Sequence, residues 1–98
     1  MIHRFVKMTF RPEEVKQFLV VFEQSKNAIA DFPGCMGLKL LQDTASENIL
    51  YTFSLWAEPL ALEAYRNSEL FKSTWAKTKV LFADKPLAWS TLVIDHVK

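Results

Sequence analysis

Cysteine occurs once in this 98-residue chain, at Cys35, and glycine twice, at Gly34 and Gly37. A single thiol excludes an intrachain disulfide and a cysteine-based metal cluster. It also makes a reducing compartment the default, so the expected location is the cytoplasm. No Gly-rich phosphate loop, no Ser-His-Asp set and no carboxylate pair of clear role is present. Charge of one sign is not concentrated anywhere: 12 Lys and Arg stand against 11 Asp and Glu, a formal net charge of +1. Nucleic acid is therefore not an expected partner. No apolar run approaches the roughly 20 residues that cross a bilayer, so a membrane is not expected either. The opening residues Met1-Ile2-His3-Arg4-Phe5 lack the apolar stretch of a signal peptide. Linkers, internal repeats and low-complexity segments are missing too, so residues 1–98 read as one domain.

What the chain has is apolar surface in excess of what so few residues can hide. Half of them are hydrophobic, 13% aromatic and 23% charged, which points to a buried interface as well as a core. The stretch Ile49–Trp56 concentrates the signal. As a strand it puts Ile49, Tyr51, Phe53 and Leu55 on one face and Leu50, Thr52, Ser54 and Trp56 on the other. Neither face carries a charge, so both must be covered. The chain's own helices cover one face, and a second copy is the simplest cover for the other, which predicts a homodimer through the sheet face. The small Thr52 and Ser54 favour the Trp56 face as the one that meets the helices.

The remaining elements follow from periodicity. Ile2 to Phe10 reads as a first strand, with Arg4 on the face of Ile2, Val6, Met8 and Phe10. Pro12 to Ala30 reads as a helix with Val15, Phe18, Leu19, Phe22 and Ile29 as its apolar stripe. Asp31-Phe32-Pro33-Gly34 breaks it. Cys35 to Gln42 is a strand whose Gly37 and Lys39 suit a sheet edge. Helical patterns then run from Pro59 to about Asn67 and, after a Ser68 N-cap, to about Leu81. Leu87 to Val97 reads as the last strand. Strand, helix, strand, strand, helix, strand with right-handed crossovers gives an α+β, ferredoxin-like βαββαβ antiparallel sheet, strands one and three central.

Chemistry is written more faintly. Trp56, Tyr65, Phe71 and Trp75 are placed to line a flat pocket between sheet and helices, with Thr52 and Ser54 leaving room beneath, and a small apolar or aromatic ligand would suit it. The commoner use of such aromatics is core packing, and that reading ranks first. His3 and His96 fall on the first and last strands, read as antiparallel neighbours in outer positions; two imidazoles near each other would suit a metal or acid–base work, while solvated surface histidines are the plainer reading. Arg4 interrupts an apolar face and suits an ion pair with an acid such as Asp95, or an anionic ligand. Cys35 has no visible base beside it and reads as a small buried filler.

Phe32-Pro33-Gly34-Cys35, the hairpin after it, Ser54-Leu55-Trp56, and Ala61-Leu62-x-Ala64-Tyr65-x-x-Ser68-x-x-Phe71 together resemble the antibiotic biosynthesis monooxygenase family. The resemblance spans nearly the whole chain and implies a dimeric α+β barrel, two sheets packed face to face. It implies one of several activities, because the fold hosts cofactor-independent oxygenases of aromatic polyketides, haem-degrading enzymes and small isomerases. Histidines of several branches are matched here by Tyr65 and Trp75, and strand one has no asparagine, which argues against haem degradation and histidine-dependent isomerisation. The expectation is an oxygenase-like protein with no bound cofactor, acting on an aromatic or quinol. The alternatives are a non-catalytic binding or interaction module and, more weakly, an isomerase or epimerase of a small carbonyl compound.

Overall fold

Four strands and three helices follow one another in the computed structural model, which describes all of Met1–Lys98. Strand β1 is Ile2–Thr9; a 3-10 turn at Pro12–Glu14 leads into α1, Val15–Ala30; β2 is Cys35–Gln42 and β3 Ile49–Trp56; α2 is Pro59–Arg66, α3 Glu69–Lys79, and β4 Leu87–Leu92. The sheet is antiparallel in the order β2-β3-β1-β4, so β1 and β3 occupy the middle as the ferredoxin-like reading requires.

Local chemistry sets the boundaries. Pro12 has no N–H to offer and occupies the first turn, which is 3-10, before α1 proper begins at Val15. Gly34 adopts φ +86°, and a Cβ there would run into the Cβ of Ala61. Only glycine serves this turn, whose carbonyl also accepts from the Ala57 N–H at 2.8 Å. Asn67, which ends α2, and Ser68, which starts α3, separate the two helices. The Ser68 Oγ accepts from the Phe71 N–H at 3.1 Å and donates to the Tyr65 carbonyl at 2.6 Å, so one hydroxyl caps α3 and ties down the end of α2.

The strand register assigns the two faces. Met8, Leu50, Ser54 and Trp56 are buried beneath the helices, so the Trp56 face of β3 is the covered one. Met8, Phe10, Phe18, Leu50 and Leu81 form a buried core cluster. Ile49, Tyr51, Phe53 and Leu55 point to the outer face, each half-buried. There His3 meets Phe53 edge-on at 5.4 Å, Phe5 lies 5.0 Å from Phe53, and Trp89 stacks on Phe5 at 5.7 Å.

Two expectations need correction. The last strand ends at Leu92, not Val97: β1 offers partners only from Lys7 back to Ile2, where Ile2 pairs with Leu92, and the chain beyond has nothing to pair with. His3 consequently sits on a central strand opposite Thr91, while His96 lies past β4 with its ring against the Lys98 carbonyl at 2.6 Å. The two histidines do not form a site.

Candidate functional site

Between sheet and helices lies a cavity of about 290 Å³, at the lower end of the range of about 300–1,000 Å³ for small-molecule sites. Its floor is a consequence of register. One row across the sheet reads Leu38, Ser54, Arg4, Ser90, and the next Leu40, Thr52, Val6, Ala88. Leu38 and Leu40 at the β2 end give way to Ser54 and Thr52 on β3 and to Ser90 and Ala88 on β4, so the floor is low on either side of Arg4 and Val6. Leu38, Thr52, Ser54, Arg4, Val6 and Ala88 all face the cavity.

The roof comes from all three helices. From α1, Phe18, Phe22, Ser25 and Ile29 project at helical spacing. From α3, Phe71 and Trp75 stand one turn apart with rings stacked at 5.8 Å and 11°; Thr74 and Thr78 fill the gaps. Tyr65 of α2 is the hub: its ring stacks on Trp56 at 5.0 Å and meets Phe32 and Phe71 edge-on at 5.4 and 5.3 Å. Rings held by three neighbours have little rotamer freedom left, so the wall is pre-shaped for a flat ligand.

Three of the six hydroxyls on the lining are already engaged. Ser25 donates to the Val21 carbonyl at 2.9 Å, Thr78 to the Thr74 carbonyl at 2.8 Å, and Ser54 accepts from the Trp56 indole N–H at 2.9 Å. The rest of the lining is mainly apolar, with Thr52, Thr74 and Tyr65 keeping their hydroxyls for a ligand and Tyr65, Arg4 and Arg66 as its titratable groups. Burial, and secondarily the nearby Cys35, push the Tyr65 phenol up to about 12. At neutral pH it is a hydrogen-bond donor and not a base. Arg4 donates to the Ser90 Oγ at 3.1 Å. Burial first, then the charge of Arg66, hold its pKa below the ordinary guanidinium value, yet it stays cationic at any working pH.

Five of the six side chains marked as pocket lining from the sequence, Thr52, Ser54, Tyr65, Phe71 and Trp75, border this cavity. Trp56 does not: it is 0% exposed and sits behind Tyr65, where its indole is satisfied by Ser54. For this residue the core reading holds, because it ends the central strand where α2 closes over it. Arg4 pairs with no carboxylate, and Asp95 lies beyond β4. Cys35 is half-buried, its thiol 3.6 Å from the Gly37 carbonyl. No three His, Cys, Asp or Glu side chains gather to hold a metal ion.

Sequence reasoning missed the contribution of α1 to the wall and missed Arg66. For α1 a signal existed: Ser25 falls in register between Phe22 and Ile29, a small polar residue inside an apolar stripe, which marks room. Arg66 gave none, since a single basic residue ending a helix is ordinary dipole chemistry.

A family model for antibiotic biosynthesis monooxygenases matches residues 1–77. No curated protein matches in sequence. Among solved structures, an antibiotic biosynthesis monooxygenase superposes with TM-score 0.90 at 14% identity, covering 97% of this chain and 100% of that one. A conserved protein from Methanosarcina mazei superposes at 0.88 with 18% identity over 92% of this chain and 89% of its own. A proposed antibiotic biosynthesis monooxygenase from Caulobacter crescentus gives 0.88 with 21% identity over 96% and 90%. At such identities the likeness establishes the fold.

Proposed function

The chain belongs to the antibiotic biosynthesis monooxygenase family, and we propose that it is a monooxygenase-like protein taking a small aromatic or quinol substrate into the cavity between sheet and helices, with no bound cofactor. The observation that carries this reading is the cavity itself: a mainly apolar space walled by fixed rings, with a protonated phenol and two guanidiniums as its titratable groups. An electron-rich ring carries its own reductant. When the ring CH₂ of an anthrone becomes C=O, one oxygen atom of O₂ enters the product, the other leaves as water, and the substrate supplies all four electrons. The task left to the protein is to exclude water and to hold the substrate oxyanion, with Tyr65 or Arg4 as donor.

In this reading all of residues 1–98 work as one unit, since β4, beyond the matched residues, adds Ala88 to the cavity and Ser90 to Arg4. The unit is a homodimer in which a second copy covers the outer aromatics His3, Phe5, Phe53 and Trp89. No helix is long and apolar enough to cross a membrane, and the proposed location is the cytoplasm. Oxygen uptake above blank with at least one member of a panel of anthrones and quinols supports the proposal; none across the panel sinks it.

One observation favours a second reading. The cavity lining has no carboxylate, histidine or lysine to act as a base. A non-catalytic ligand-binding module on the same dimer needs none. Its signature is a ligand that raises the melting temperature and is recovered unchanged after incubation under oxygen.

A further inference from the structure

Arg4 is a costly residue where it stands. It projects from the middle of a central strand toward the helices, on the face shared with Val6 and Met8, and is half-buried. A guanidinium has five N–H donors in a planar fork, and the hydrogen bond Arg4 makes is to the hydroxyl of Ser90. The salt bridge of the molecule lies elsewhere, between Lys26 and Glu23 on α1. Arg66, in the last turn of α2, borders the same cavity and is exposed on its outer side. It also borders a shallower groove beside Glu63 and Asn67, which puts it at the mouth.

The two guanidinium groups, neither held in a salt bridge, border one otherwise mainly apolar space and repel one another. The downward pull of Arg66 on the Arg4 pKa is the trace of that repulsion. Arg66 complements the dipole at the end of α2, but that role does not call for Arg4 in the same cavity, and an anion placed between the two relieves both charges. Planar carboxylate is the group that a guanidinium fork matches in two parallel hydrogen bonds. No Gly-rich loop is present to help hold a phosphate.

Resting on the reading of the cavity as a ligand site, we infer that Arg4 and Arg66 form an anion subsite, and that the ligand is an aromatic carboxylate whose ring lies between Thr52 and Trp75 while its carboxylate meets the two guanidiniums. The neutral parts of the cavity accept any flat ring; the arginines choose among rings by charge.

Calorimetric titration of the intact protein with 2-naphthoate, 2-naphthamide and 2-naphthyl phosphate tests this, with R66Q, R66K and R4Q alongside. Arg66 is exposed, so R66Q should melt with the native protein and keeps the test interpretable if R4Q folds poorly. The expected result is that naphthoate binds about ten-fold or more tightly than naphthamide. That preference should shrink to within about two-fold in R66Q and be partly restored in R66K, whose charge lacks the fork. Equal binding of naphthoate and naphthamide, or a preference that survives in R66Q and R4Q, overturns the inference and leaves the cavity reading standing. Tighter binding of the phosphate than of naphthoate overturns the carboxylate assignment. Binding of none of the three overturns the inference and the cavity reading together. Weakened self-association of R66Q or R4Q with unchanged naphthoate affinity also overturns it, by assigning the arginines to a carboxylate of a second copy.

Discussion

The covered and outer faces of the sheet each carry an aromatic array, and the two are organised in opposite ways. On the outer face the rings stand beside one another across the strands: Phe53, Phe5 and Trp89 occupy one row, with Lys39 at its end and its ammonium 6.0 Å from the Phe53 ring. Large rings in adjacent positions fill the surface and leave it level. On the covered face the row one residue along is Leu38, Ser54, Arg4, Ser90, and the rings come from the helices above. The small residues that flank Arg4 and the aromatic roof enclose a space. The lesson is that aromatic content does not distinguish a contact surface from a pocket; the size of the cross-strand neighbours does. A level apolar face is suited to mating with its own kind, and a vaulted one to holding a molecule.

That contrast is open to direct attack. The heaviest blow falls on the covered face: Trp56→Ala empties a fully buried site behind Tyr65. It should remove about 3–5 kcal/mol from the unfolding free energy, read as a lowered denaturant midpoint. A loss below about 1 kcal/mol would mean that Trp56 is not the support of the roof. Phe53→Lys is the matching change outside, placing an ammonium beside His3 and Phe5. It should convert the proposed dimer to monomer by light scattering. The melting temperature should fall as well, by about 4–8 °C for each kcal/mol of stability removed. Unaltered mass and melting temperature would contradict the assignment of this face to a second copy.

A gentler probe is pH. The Tyr65 phenol has an ordinary value of 10.0 and is raised to about 12 in the fold. Its contribution to stability is therefore complete below pH 10 and lost as pH rises through about 12. Tyr51 titrates in the same direction, held up by its hydrogen bond to Asp43, so the informative quantity is the difference between the wild type and Tyr65→Phe. The variant should lose less stability over that window, and equal losses would place Tyr65 in a wet environment. Smallest of all, Ser68→Ala removes the hydroxyl that joins α2 to α3. About 1 kcal/mol should be lost, and any ligand bound under the roof should bind more weakly because Tyr65 and Phe71 are no longer held together.

Most of the scaffold could be read from residue order because its signals are local. Alternation in Ile49–Trp56, the stripe on α1, the Pro33-Gly34 break and the Ser68 cap each depend on neighbours within a few positions. The exception is instructive: Val93 to Val97 has the composition of a strand but no partner, since β1 has run out by Ile2. Strand propensity is satisfied only by hydrogen bonds from another segment, which composition does not count. The site was legible in part for the same reason. Thr52 and Ser54 announce a gap because they interrupt a local pattern, whereas Trp56 and Tyr65 look equally available until burial separates them.

Residue order alone determined the alternation of strands and helices, the apolar surplus on both sides of the middle strand, and the family to which the chain belongs. Tertiary structure decided which small residues would line up across four strands, which indole would be sealed behind a phenol, and that Arg4 and Arg66, 62 positions apart by their numbers, would share one cavity. The physical reason is range. Periodicity and capping act between neighbours, whereas the shape and charge of a cavity are set by residues that meet only after the crossovers have closed.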